Sequence, residues 1–82
     1  MISVNYSDYP LQFDMAEAKL LARDIQYREL IKSGISIHEK SHFYIKSYGI
    51  SLRLDENGVI KYEFHNETSL NYFLLRINSV DK

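Results

Sequence analysis

The sequence predicts a small two-layer α+β domain of order (β)-α-β-β-β-α, in which an antiparallel three-stranded meander is packed by an N-terminal helix and a short C-terminal helix. Three observations carry that prediction. Met15 to Ser33 is a run of mostly good helix formers without glycine or proline. From Ile35 the composition turns β-branched and aromatic, with period-two alternation. Finally, Leu70, Phe73, Leu74 and Ile77 stand at i, i+3, i+4 and i+7, the spacing of one helix face. With 82 residues, no repeat and no linker-like stretch, residues 1–82 read as a single domain.

Residues 1–10 read as an extended arm or edge strand, with Ile2, Val4 and Tyr6 on one side and Ser3 and Asn5 on the other. The helix is expected over 14–33: Asp14 as N-cap with Glu17 three residues on, Lys32 in the last turn, Gly34 as the stop. Its apolar residues form two stripes, Met15, Ala18, Leu21, Ala22 and Ile25 against Leu20, Tyr27, Leu30 and Ile31. Either the helix bends or is covered on both sides, or the second stripe is a partner or dimer surface. The meander is expected over 42–64. Phe43 and Ile45 alternate with His42, Tyr44 and Lys46; Ile50, Leu52 and Leu54 with Ser51 and Arg53; Ile60, Tyr62 and Phe64 with Lys61 and Glu63. Asp55-Glu56-Asn57-Gly58 is a hairpin signal, because Gly58 can take the positive φ that closes a type I turn with a bulge. A short helix is expected over 68–78, and a frayed tail after it.

Ten basic and eleven acidic side chains give a net charge of −1, spread evenly over both halves, which is not the electrostatic footprint of a polyanion binder. The absence of cysteine excludes disulfides, thiolate metal sites and cysteine nucleophiles. With no signal-like segment and no long apolar run, a cytoplasmic protein without a membrane span is expected. Three isolated glycines make no phosphate loop, and no serine sits in a nucleophile elbow.

The most specific local string is His38-Glu39-Lys40-Ser41-His42, which fits H-E-x-x-H and in that resembles the zinc metallopeptidases over five residues. The resemblance implies His38 and His42 as ligands and Glu39 as general base, with Glu63, His65 or Glu67 as a third ligand. Against it stand Lys40 inside the motif and strand-like flanks, which would hold the two histidines about 13 Å apart. Tyr44, Lys46, Tyr48 and Arg53 interleave aromatic and basic groups on a prospective sheet face, the pattern of a single-stranded nucleic-acid or RNA binder. The charge balance counts against that alternative.

The leading expectation is therefore a non-enzymatic module that binds another protein, or a second copy of itself, and modulates or inhibits it. Inhibitors, immunity factors, antitoxins and phage or mobile-element accessory proteins are of this type. Its expected contact residues are Tyr27, Leu30 and Ile31 from the helix and Tyr44, Tyr48 and Arg53 from the sheet, since interfaces concentrate Tyr, Arg and a few aliphatic anchors. No catalytic set, metal or cofactor is expected. A minimal H-E-x-x-H zinc protein is the remaining alternative.

Overall fold

The computed structural model describes residues 1–78, so the tail expected to fray lies outside the described residues. Its elements are β1 (Ile2–Asn5), a 3-10 turn (Tyr6–Asp8), α1 (Pro10–Arg23), α2 (Ile25–Ser33), α3 (Ile37–Tyr48), β2 (Ser51–Leu54), β3 (Ile60–Phe64) and α4 (Glu67–Asn78). The sheet is antiparallel with order β1-β3-β2. The α+β class with helices on a three-stranded sheet holds, but the third strand is β1 and not residues 42–48.

That exchange has a local cause. Ser36 accepts the Glu39 amide at 3.2 Å while the Glu39 carboxylate takes the Ser36 amide, a capping box that starts α3. Gly49 ends the helix in the left-handed region, φ 70, where the amides of Gly49 and Ile50 close onto the carbonyls of Ile45 and Tyr44. Between these caps the half-buried Ile37 and the buried Ser41 and Tyr44 recur at helical spacing. Strong caps and core contacts override the β-leaning composition.

The expected helix over 14–33 begins earlier and breaks once. Pro10 opens α1, where its missing N–H is no loss. Asp14 instead accepts the Tyr6 hydroxyl at 2.7 Å. Asp24 leaves helical geometry, φ −111 and ψ 103, and its carboxylate accepts the Tyr27 amide at 3.0 Å, capping α2. The Arg28 guanidinium turns back onto the Leu21 carbonyl at 3.0 Å, so it covers the end of α1 and makes no pair with Asp24. The break does not cover the first stripe, of which Ala18, Ala22 and Ile25 are exposed and Met15 and Leu21 half-buried, whereas Leu20 and Tyr27 of the second stripe are buried. It lets Phe13, Ala16 and Leu20 of α1 and Tyr27 of α2 enter one core from helices of different direction.

In the sheet, Ile2 pairs with Phe64, Val4 and Leu52 with Tyr62, and Leu54 with Ile60, so the apolar alternation puts all of these on the helix side. Asp55 closes the hairpin, its carboxylate accepting the amides of Asn57 and Val59 at 2.8 and 2.9 Å, with Gly58 at φ 79. Asn66 caps α4 through the Ser69 amide, and Leu70, Phe73 and Ile77 are buried as their spacing predicts. Phe13 stacks on Tyr62 with centroids 3.8 Å apart and on Phe73 at 5.7 Å, joining α1, β3 and α4. Each such aromatic pair contributes about 0.5–1.5 kcal/mol beyond area burial. The buried Ser41 hydroxyl accepts the Leu52 amide at 2.9 Å, satisfying an edge-strand donor from α3. The other sheet face is polar: Ser3, Asn5, Ser51, Arg53, Lys61 and Glu63.

Candidate partner-binding groove

The six expected contact residues separate into four environments. Tyr27 and Tyr44 are buried at 0 and 1 % exposure, so they cannot serve as surface anchors. Their hydroxyls both donate to Glu17 Oε1, at 2.8 and 2.5 Å, with the Lys40 ammonium at 3.8 Å from the same oxygen. Burial, and next the hydrogen bond to Glu17, push both phenols far above their ordinary range. The cluster fastens α1, α2 and α3 together. Leu30 and Ile31 are half-buried, Ile31 against the core. Arg53 lies on the polar sheet face, bonded to Glu63 Oε2 at 2.7 Å, and this guanidinium holds the Glu63 carboxyl below its usual range.

The expected aromatic and basic sheet face does not exist as such. Tyr44, Lys46 and Tyr48 stand on α3, so of that set Arg53 alone belongs to the sheet, and the polar face carries no aromatic side chain.

Tyr48 is the expected residue that does border a concavity. A groove of about 510 Å³ opens between the α1–α2 break, the last turn of α3 and α4. Arg23, Asp24, Ile25 and Gln26 come from the break, Tyr48 from α3 and Arg76 from α4. The Tyr48 hydroxyl donates to the Ala16 carbonyl at 2.8 Å, and the Arg76 guanidinium sits 5.6 Å over its ring. Burial raises the Tyr48 phenol, while the charges of Arg23 and Arg76 pull the other way. Ile25 projects with 67 % of its surface exposed, and on α4 Tyr72 and Leu75 are exposed at 65 and 72 %.

Ile25, Arg76, Tyr72 and Leu75 were not among the expected contacts. The signal for α4 was present, because its core stripe of Leu70, Phe73 and Ile77 leaves Tyr72, Leu75 and Arg76 off the stripe. Ile25 needed recognition of Asp24 as an internal N-cap.

His38 and His42 lie one turn apart on α3, not on a strand, and their Nε2 atoms are 3.4 Å apart. Glu39 between them is committed to the Ser36 cap. Among the described residues no three or more His, Cys, Asp or Glu side chains gather as a metal site, so Glu63, His65 and Glu67 do not complete one. No described helix is long and apolar enough to cross a membrane. Comparison with protein families, with curated proteins and with solved structures gave no match.

Proposed function

We propose that this chain is a small, non-enzymatic, cytoplasmic protein-binding module that modulates or inhibits a partner protein, and that the groove at the α1–α2 break is its docking surface. The observation that carries the reading is the grouping of an exposed aliphatic side chain, Ile25, with Tyr48, Arg23 and Arg76 around one concavity. Tyr and Arg beside an apolar anchor are the residue types in which interface energy concentrates. The Arg76 guanidinium in the same groove as the exposed Ile25 suits a partner segment that presents an acidic side chain next to an apolar one. The immunity, antitoxin and mobile-element accessory proteins named above are the kind of protein this reading includes.

The test is capture of a stoichiometric partner from the native lysate by the wild-type chain and by an Ile25→Glu/Arg76→Glu variant. Both substitutions alter groove side chains outside the core, and circular dichroism checks that the fold persists. Capture should be abolished in this variant and retained in Arg53→Ala, which alters the polar sheet face. Equal capture by wild type and the groove variant would eliminate the groove as the docking surface.

A further inference from the structure

We infer that His38 and His42 form a two-point chelate for a divalent transition-metal ion of the zinc or nickel kind, a site distinct from the groove and without hydrolytic chemistry. Both imidazoles are exposed on α3, and His42 also borders a shallow hollow of about 230 Å³, so an ion can reach them from solvent. Their Nε2 atoms are 3.4 Å apart. Two nitrogens held about 2.0–2.1 Å from one tetrahedral zinc are necessarily about 3.3–3.4 Å apart. The same separation is also within reach of a ring-to-ring hydrogen bond, which an ion bound between the two nitrogens replaces. The pair thus already stands at the separation that a shared ion requires. Imidazole is a ligand for which zinc, nickel and copper compete well, whereas calcium and magnesium prefer oxygen.

The environment also limits what the ion does. Glu39, the residue that a hydrolytic reading needs as a base, accepts both the Ser36 amide and hydroxyl, at 3.2 and 3.3 Å. The remaining coordination positions belong to solvent, since no third ligand gathers among the described residues. The expected site is therefore a surface clamp that staples one turn of α3.

Isothermal titration of zinc into the untagged, full-length chain tests this, with thermal melting as a second readout. The expected result is one saturable ion per chain, at least tenfold weaker binding in His38→Ala and in His42→Ala, and a zinc-dependent rise in Tm that His42→Ala loses. Glu39→Gln, which keeps a capping side chain, and His65→Ala should bind within threefold of wild type. Absence of saturable binding, or saturable binding unchanged by both α3 histidine substitutions, would overturn the inference. A loss in Glu39→Gln as large as in the histidine variants would overturn it too, because the carboxylate would then be in the ion's shell.

Discussion

Removing the carboxylate of Glu17 should destabilise the fold out of proportion to a half-exposed surface residue. Glu17 accepts hydrogen bonds from two tyrosines whose side chains are buried, Tyr27 at 2.8 Å and Tyr44 at 2.5 Å. In Glu17→Ala both hydroxyls lose their acceptor, and an orphaned buried donor costs about 1–3 kcal/mol. The Glu17 side chain is 27 % exposed, so water enters part of the vacated space and the lower end applies, about 1–1.5 kcal/mol for each hydroxyl. The Lys40 pair at 3.8 Å adds at most about 1 kcal/mol, as partly exposed pairs do. The expected loss is about 2–4 kcal/mol, read as a fall of about 2–4 M in the urea midpoint if m is about 1 kcal/mol per M. The triple variant Glu17→Ala/Tyr27→Phe/Tyr44→Phe removes the stranded donors with their acceptor, and should be at least about 1 kcal/mol more stable than Glu17→Ala alone. Equilibrium urea unfolding of wild type, single and triple variants measures both quantities. A loss below about 0.5 kcal/mol for Glu17→Ala, or a triple variant no more stable than the single one, would refute the reasoning.

The same tyrosines set an alkaline limit. The folded phenols of Tyr27, Tyr44 and Tyr48 are raised above 10.0, and burial pushes Tyr62 up to about 12. A raised folded value means that the contribution is complete below the unfolded value near pH ~10 and is lost as pH climbs through the folded ones. Far-ultraviolet circular dichroism should therefore report cooperative unfolding above pH ~10, coincident with late tyrosinate absorbance from these four rings; ionisation of all seven tyrosines while the chain stays folded would contradict this. Asp24→Ala removes the α2 cap and should cost about 1 kcal/mol in a urea titration, against a few tenths for Asp24→Gly. An Asp24→Ala chain of wild-type stability would show that the break at Asp24 does not depend on its side chain.

How far the sequence could be read depended on whether the decisive interaction was local. The β2–β3 hairpin was legible because Asp55 and Gly58 specify the turn within four residues, and because Leu52, Tyr62 and Phe64 alternate with Arg53, Lys61 and Glu63. The core face of α4 was legible from spacing alone. Residues 42–48 misled because Phe43, Tyr44, Ile45 and Tyr48 favour strands, while the deciding features were the Ser36 to Glu39 box upstream and Gly49 downstream. The membership of β1 in the sheet depends on pairing with residues some sixty positions away, a distance that no local pattern reports. At the groove, Tyr48 was found by residue type, whereas Ile25 and Arg76 meet only after the helix breaks and α4 folds back. Tyr27 and Tyr44 were assigned to the surface because amphipathic residues suit interfaces and cores alike; their acceptor Glu17 lies 10 and 27 positions away.

Docking at the groove is tested most directly by amide hydrogen exchange on the chain with and without its captured partner. The amides of Ile25 and Gln26 lie in the first turn of α2, where they have no intrahelical acceptor, so they should exchange quickly in the free chain. The partner should slow exchange across residues 23–26, and in the last turns of α3 and α4 around Tyr48 and Arg76. Protection confined to the polar sheet face of β1, β2 and β3, with the α1–α2 break exchanging as before, would contradict the account.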